Sequence, residues 1–177
     1  MKQLFCLLPL MLLLGGCSVS VEEKFDQQID FSRYKTFCWM AGCEFKVDGP
    51  AYLQDSLVQQ RIKSAIINEL ATKGITLNAA HPDLLVGFTI TIKDEQAIVY
   101  HRAEDSPIFI RPLEMDKEVI KYQKGSLIIG MADAKASSMV WQSHVSAYME
   151  LEPDLSEVNI QKGIKMALKN FPPNKSE

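Results

Sequence analysis

The chain has 177 residues, of which 47% are hydrophobic and 23% charged, and its formal net charge at pH 7 is −3. Because no Lys/Arg cluster with interleaved aromatic residues stands out from this near-neutral background, we expect no nucleic-acid partner. Beyond the first seventeen residues, no apolar run reaches the roughly 18 residues of a transmembrane helix, and the length fits one domain with its own core.

The first seventeen residues have the pattern of a secretory signal that ends in a lipidation motif. Lys2 gives a positive start, residues 4–14 form an apolar run, and Leu14-Gly15-Gly16-Cys17 closes the run with small residues before a cysteine. The run is short and contains Pro9, so we expect it to be cleaved and not retained as a membrane helix. The segment resembles bacterial lipoprotein precursors, in which the cysteine is acylated and becomes the mature N-terminus.

This pattern predicts a cleaved lipoprotein signal over residues 1–16 and a single α+β domain over residues 17–177. We expect lipid on Cys17 to attach the protein to a membrane. Several acyl chains on one cysteine would make this attachment stable, because every buried methylene group adds to the free energy of binding. Ser18 stands where some inner-membrane lipoproteins carry aspartate. The expected location is therefore the cell envelope, at the outer membrane and facing the periplasm.

The four cysteines have different expected fates. Cys6 leaves with the signal and Cys17 carries lipid, which leaves Cys38 and Cys43 as a pair in an oxidising compartment. We predict a possible disulfide between these two residues. The alternatives are two free thiols, or a soft-metal site that includes Met40, although the spacing differs from that of zinc sites.

The first half of the mature chain reads as two strands followed by a helix. Residues 19–25 alternate apolar and polar side chains, and residues 34–40 are rich in aromatic residues, so both predict strands. Residues 41–50 contain two glycines and a proline and predict a loop. A helix is predicted over residues 55–73, with Asp55 as its N-cap.

The middle of the chain reads as a hairpin followed by a poorly patterned segment. Residues 84–93 alternate clearly and predict a strand, and a turn near Asp94-Glu95 is expected to return the chain through a second strand over residues 97–102. Residues 103–117 contain two prolines and several charges. They predict a loop with a short edge strand.

The last third reads as two long strands and a helix. Residues 119–132 and 139–149 predict an antiparallel pair. Asp154 and Glu157 have the spacing of a capping box at the start of a helix that ends before Pro172-Pro173. The predicted fold class is therefore α+β, an antiparallel sheet of about five to six strands with two helices packed on one face.

Short motifs spread over the mature chain resemble the bacterial lipoproteins of the domain of unknown function 4136. The matching segments are Asp30-Phe31-Ser32-Arg33-Tyr34-Lys35-Thr36-Phe37 with Trp39, Pro82-Asp83-Leu84-Leu85-Val86, Gly125-Ser126-Leu127-Ile128-Ile129, Asp133-Ala134 with Val140-Trp141, and Phe171-Pro172-Pro173. The resemblance implies an α+β lipoprotein domain and supplies no catalytic residues. The chain departs from the pattern where Ser137-Ser138 replace a usual glycine, and Cys38 and Cys43 lie outside the pattern.

The side chains that most often carry chemistry are dispersed. His81, His101 and His144 lie in different predicted segments, and no Gly-x-Ser-x-Gly elbow or phosphate-binding glycine loop is present. Trp39 and Trp141 lie in apolar strands and are expected in the core, where the alternative is stacking on a sugar or a lipid. The acidic pairs Glu22-Glu23 and Asp94-Glu95 are expected to be solvated. We therefore predict no catalytic, cofactor or metal residues.

Three functions follow from these observations, and the first is our leading hypothesis. It is a non-enzymatic, lipid-anchored binding or adaptor domain that contacts another envelope component through its sheet edge or residues 103–117. The alternative is a small-molecule or lipid carrier with a pocket between the helices and the sheet, because only two helices cover an apolar sheet face. The third is a hydrolase that uses a histidine with a nearby serine or acid.

Overall fold

The structure is a computed structural model that describes residues 19–40, 46–102 and 115–173. Within these ranges it contains seven strands, two α-helices and two single-turn 3-10 helices. The strands are β1 Ser20–Phe25, β2 Thr36–Trp39, β3 Lys46–Asp48, β4 Thr76–Leu77, β5 Leu84–Arg102, β6 Met115–Asp133 and β7 Met139–Met149. The helices are α1 Ser56–Thr72 and α2 Glu157–Ala167, and the 3-10 turns are Phe31–Arg33 and Ala51–Gln54.

The described strands form one mixed sheet in the order β1-β7-β6-β5-β2-β4, with β3 also paired to β5. The pairs β1·β7, β7·β6 and β6·β5 are antiparallel, whereas β2 and β3 run parallel to β5, and β4 runs parallel to β2. The α+β class is confirmed, but the prediction of a purely antiparallel sheet of five to six strands is wrong. Helix α1 lies between β2 and β5 in sequence, and such a crossover returns the chain in the same direction.

Strand β5 does not turn back at Asp94-Glu95. It continues through these residues as one 19-residue strand, and β6 pairs with it from Leu84↔Asp133 to Arg102↔Met115. The predicted hairpin within residues 84–102 is therefore wrong. Asp94-Glu95 lacks the glycine that usually follows aspartate in a tight hairpin turn, and both residues are paired with β6.

Helix α1 is confirmed at both ends. The Asp55 carboxylate accepts a hydrogen bond from the backbone N–H of Leu57 at 2.7 Å, as an N-cap does. The helix ends at Thr72, and Gly74 follows with φ +79°, the left-handed conformation common after a helix C-terminus. Apolar residues recur along α1 at helical spacing and form one buried stripe: Val58, Ile62, Ala65, Ile66 and Leu70.

Helix α2 begins later than the capping-box spacing suggests. Its N-cap is Ser156, and the Asp154 carboxylate instead accepts hydrogen bonds from Ser156 N and Asn159 Nδ2, both at 2.8 Å. The predicted capping box of Asp154 and Glu157 is therefore wrong. Asp154 closes a local turn before the helix, which is a common competing use of an aspartate side chain.

Both helices pack on the same face of the sheet and enclose the core. Its largest fully buried side chains are Trp141 on β7, Phe37 on β2 and Phe171 after α2. The rings of Trp141 and Phe171 lie 4.9 Å apart between centroids, so the segment that follows α2 is fixed to the sheet at Phe171. The expected core position is confirmed for Trp141, whereas Trp39 is half-buried and packs edge-on against Phe37.

The turn between β6 and β7 contains one residue with strained backbone geometry. Ser137 has φ +53°, and its N–H donates to the Asp133 carbonyl at 2.8 Å. A side chain in the left-handed region is disfavoured, and glycine is the residue that adopts it freely. This is the turn in which a glycine is usual in the family that the sequence resembles.

Ser137→Gly is therefore expected to raise the free energy of unfolding by about 0.5–1 kcal/mol, because relief of the left-handed conformation exceeds the added entropy of the unfolded chain. Urea denaturation measures the change. Ser138→Gly is the matched control, since the positive φ belongs to Ser137, and it is expected to be neutral or destabilising. A lower free energy of unfolding in Ser137→Gly would contradict the inference that the backbone of Ser137 is strained.

Candidate functional site

An apolar pocket lies between the two helices and the middle of the sheet. Its volume is about 220 Å³. The lining residues come from β5, β6, β7, both helices and the segments that precede them: Leu53, Ile62, Ile90, Ile92, Gly125, Ser126, Leu127, Val145, Ala147, Met149, Leu155, Ile160, Gly163 and Ile164. Ser126 is the only polar residue among them. The pocket therefore suits an aliphatic group, since its described lining contains no charged side chain.

The sequence places these residues through simple periodicities. Every second residue of β5, β6 and β7 faces the helices, which brings Ile92, Leu127 and Val145 to the pocket floor. Gly163 of α2 leaves the roof open, because a Cβ atom built at this position has no atom within 4 Å. A pocket between helices and sheet was anticipated from the sequence only in outline, since periodicity does not show where packing is incomplete.

A polar cluster at the C-terminal end of β6 joins segments that are far apart in sequence. The buried Asp133 carboxylate accepts a hydrogen bond from the Tyr34 hydroxyl at 3.0 Å and pairs with the Arg33 guanidinium. Its other oxygen accepts from the N–H groups of Lys135 and Ala136, both at 2.8 Å. The pKa of Asp133 lies below its ordinary value, chiefly because the carboxylate accepts a hydrogen bond from the N–H of Ala136. Desolvation by burial acts in the opposite direction, and the remaining donors outweigh it.

Asp83 extends this cluster to the start of β5. Its carboxylate accepts from the N–H groups of Lys35 and Thr36 at 2.9 and 3.0 Å and from the Thr36 hydroxyl at 3.0 Å. The N–H of Lys35 is the largest influence, and the pKa of Asp83 is held below its ordinary value. We call Arg33, Tyr34, Asp83, Asp133, Lys135 and Ala136, which share one polar depression, the motif cluster.

The motif cluster has the properties of a structural joint. Asp133 uses both carboxylate oxygens on neighbouring donors, and burial raises the pKa of Tyr34, which keeps its hydroxyl protonated as a donor. Three sequence segments that carried the family resemblance therefore meet in space. Their residue types alone gave no sign of this contact, because it joins positions about 100 residues apart.

The three histidines lie apart and in different settings. His101 Nε2 lies 2.7 Å from Glu118 Oε2 on an exposed surface, and His81 is exposed in the turn before β5. His144 Nε2 lies 2.8 Å from Ser126 Oγ. Glu22 is the register partner of His144 on β1, but no hydrogen bond joins these two side chains. Among the residues that the structure describes, no carboxylate is hydrogen-bonded to His144 as the acid of a catalytic triad is to its histidine.

The cysteines that were predicted as site residues are described only in part. Cys17 and Cys43 lie outside the described residues, so lipidation of Cys17 stays a prediction. Cys38 forms no disulfide with another described residue, and its Sγ lies 3.5 Å from the Trp39 carbonyl oxygen. No disulfide is present in the described part of the chain, and pairing of Cys38 with Cys43 stays a prediction.

A two-stranded ribbon extends from the sheet beyond the pocket. We define the β5–β6 ribbon as residues 95–102 paired with residues 115–122, where β6 has no second neighbour. Four of its large apolar side chains are exposed, Ile98, Tyr100, Val119 and Ile120, and Val99 is half-buried. Ile98 lies opposite Val119 on one face, and Ile120 lies opposite Ala97 on the other. No helix of the described ranges covers either face, so these apolar side chains are exposed on both sides of the ribbon.

In the described ranges, no three His, Cys, Asp or Glu side chains come together as a group that could hold a metal ion. The described helices include none that is long and apolar enough to cross a membrane.

The chain matches the family described as Domain of unknown function (DUF4136) over residues 21–173. This match covers most of the sequence and confirms the resemblance that the motifs suggested. The chain belongs to this family. No curated protein matches it.

Solved structures resemble the chain at low sequence identity. A PDZ domain protein from Parabacteroides distasonis matches with a TM-score of 0.55 and 18% identity, over 90% of this chain and 36% of that protein. The chain thus spans about a third of the length of that structure. The PelC dodecamer from Paraburkholderia phytofirmans matches with a TM-score of 0.49 and 8% identity, over 85% of this chain and 95% of that one. At 18% identity, the likeness to the Parabacteroides protein concerns the fold alone.

Proposed function

We propose that the chain is a non-enzymatic, lipid-anchored domain of the cell envelope that binds another envelope component through the β5–β6 ribbon. The observation that carries this proposal is the open apolar surface on both faces of the ribbon. The predicted lipid on Cys17 supports attachment at the outer membrane, facing the periplasm. The segment of this chain that the sequence predicted to contact a partner is residues 103–117. It overlaps the ribbon at residues 115–117 and otherwise lies outside the described residues.

The ribbon has the length and composition of a binding arm. Eight paired positions with a rise of about 3.4 Å each give an arm of about 25 Å. Two strands alone are marginally stable in water, and their exposed apolar side chains gain free energy when a partner covers them. Tyr100 is 60% exposed, and tyrosine is among the residues enriched at binding interfaces.

Ile98→Lys is expected to reduce capture of the partner at least tenfold, because it places a charge in the centre of the apolar face. The measurement is in-cell cross-linking of the tagged, lipidated protein followed by quantitative mass spectrometry of the captured proteins. Ile98 is 45% exposed, so the fold should survive the substitution.

Val158→Lys is the matched control, since Val158 is an exposed apolar residue on α2, away from the ribbon. It should leave capture unchanged, whereas Cys17→Ala should reduce it by removing the lipid. Equal loss of capture in Ile98→Lys and Val158→Lys, or no loss in either, would contradict binding through the ribbon.

The apolar pocket favours a second candidate function, a carrier of a small apolar molecule or a lipid chain. At about 220 Å³ the pocket is smaller than the roughly 300 Å³ at which drug-sized sites begin. It fits part of one alkyl chain better than a complete lipid. Binding of a radiolabelled fatty acid to acyl-free protein tests this function, and absence of saturable binding would exclude it.

A further inference from the structure

The pocket lies beside the point at which the described chain begins. Ser20, the first residue of β1, is in register with Ser146 of β7. The two neighbours of Ser146, Val145 and Ala147, both line the pocket. Paired residues on adjacent strands have Cα atoms about 4.5–5.5 Å apart. The start of β1 is therefore at the rim of the pocket.

The spacing of the sequence brings the lipidation residue within reach of this rim. Cys17 precedes Ser20 by three residues, which is at most about 10 Å of extended chain. Val21, which pairs with Val145, lies on the face of the sheet that the helices cover. An acyl chain on Cys17 would thus start close to an opening lined by aliphatic side chains.

We propose that one acyl chain carried by Cys17 inserts into the apolar pocket of its own domain. This inference rests on the proposed lipidation of Cys17. A chain tethered this close has an effective concentration in the millimolar range, which favours it over free fatty acids of the surroundings. The pocket then shields one chain from water whenever the domain is away from a bilayer.

Gly163 provides a variant that fills the pocket. A Cβ atom at this position meets no atom within 4 Å, so a larger side chain has room to enter the space that the acyl chain would use. Gly163→Leu is therefore the blocking variant. Gly163→Ala is its matched control. Like leucine, alanine has a higher helix propensity than glycine, but its small side chain leaves most of the pocket volume free.

The experiment uses the full chain expressed in cells that incorporate a diazirine-bearing palmitate into lipoproteins. After purification, irradiation and digestion, mass spectrometry locates cross-links within the chain. We expect cross-links from the Cys17 lipid to pocket residues such as Met149 and Ile160 in the wild type and in Gly163→Ala, and a loss of at least tenfold in Gly163→Leu. Cross-links to phospholipid alone, or equal pocket cross-links in Gly163→Leu, would overturn the inference.

The mass of the intact protein shows whether Cys17 carries lipid, and it thus distinguishes a failure of the insertion from a failure of the proposed lipidation. A Cys17 without lipid overturns both, whereas a lipidated Cys17 without pocket cross-links overturns only the insertion. A second measurement covers the case in which Gly163→Leu does not fold. Free diazirine palmitate is expected to label the pocket at least fivefold more in a mature-length chain exported without lipid than in the lipidated protein, and equal labelling would again overturn the inference.

Discussion

Replacing Trp141 with alanine is expected to lower the free energy of unfolding by about 3–5 kcal/mol, as for other large aromatic side chains removed from a core. Trp141 is fully buried on β7, and its ring packs against Phe171 beyond α2. The substitution therefore opens a cavity between the sheet and the end of the chain. Urea denaturation of the purified protein, followed by circular dichroism, measures the loss.

Trp141→Phe is the informative control for this prediction. It keeps an aromatic ring in the core and removes the indole N–H, which has no hydrogen-bond partner among the described residues. The lost contact area is partly offset by removal of an unsatisfied donor, so the expected cost is below about 1.5 kcal/mol. Equal losses in Trp141→Phe and Trp141→Ala would mean that the ring does not stabilise the core by packing.

Asp133→Ala is expected to cost about 2–4 kcal/mol. It leaves the buried Tyr34 hydroxyl and the N–H groups of Lys135 and Ala136 without their acceptor, and hydrogen bonds to a charged group contribute more than neutral ones. Asp154→Ala is the control, because that exposed carboxylate also accepts a backbone N–H and its loss should cost about 1 kcal/mol. Urea denaturation of both variants provides the comparison.

The same residue gives the stability a defined pH dependence. The pKa values of Asp133 and Asp83 are lower in the folded protein than in the unfolded chain. In acid the unfolded state therefore binds more protons, so stability rises with pH. The stabilisation is present above the ordinary aspartate pKa of about 3.9 and is lost as the pH falls through the lower folded values. Asp133→Asn is expected to reduce the slope of the free energy of unfolding against pH in acid. An unchanged slope would exclude Asp133 as a source of this pH dependence.

Elements with one clear periodicity could be predicted from the sequence. The stripe of α1 follows the 3.6-residue repeat of a helix on a sheet, and both of its ends carry residues with specific capping geometry, Asp55 and Gly74. In β7 the alternation correctly placed Trp141 and Val145 on the buried face, whereas Met139 in the same alternation is 53% exposed, because the pairing shifts register next to Ala132. These features depend on neighbours within a few residues, which a single sequence records.

Features that depend on distant partners could not be predicted. The polar pair Asp94-Glu95 resembles a turn, but it continues a strand because Gln123 and Tyr122 of β6 pair with it. The ribbon has no core to impose alternation, so its sequence lacks the usual sign of a strand. The direction of β2 relative to β5 likewise depends on how α1 crosses the sheet and not on the residues of either strand.

The candidate site divides in the same way. The lipidation pattern at Cys17 is local and visible in sequence, whereas the pocket results from side chains of three strands and two helices that leave space between them. The motif cluster was visible only as separate family motifs. Its function as a joint became clear when the contact of Tyr34 with Asp133 was known.

With lipid on Cys17, as we propose, the position of β1 at the edge of the sheet would determine how far the domain moves from a membrane. This strand pairs with β7 alone, and its side chains are exposed or half-buried along its whole length. Edge segments with few buried contacts open at lower free energy than the core. In a protein anchored at Cys17, detachment of β1 would lengthen the tether from about three to about nine residues, or from about 10 Å to about 30 Å. We therefore expect the edge strand to serve as an extensible tether that lengthens without unfolding of the rest of the domain.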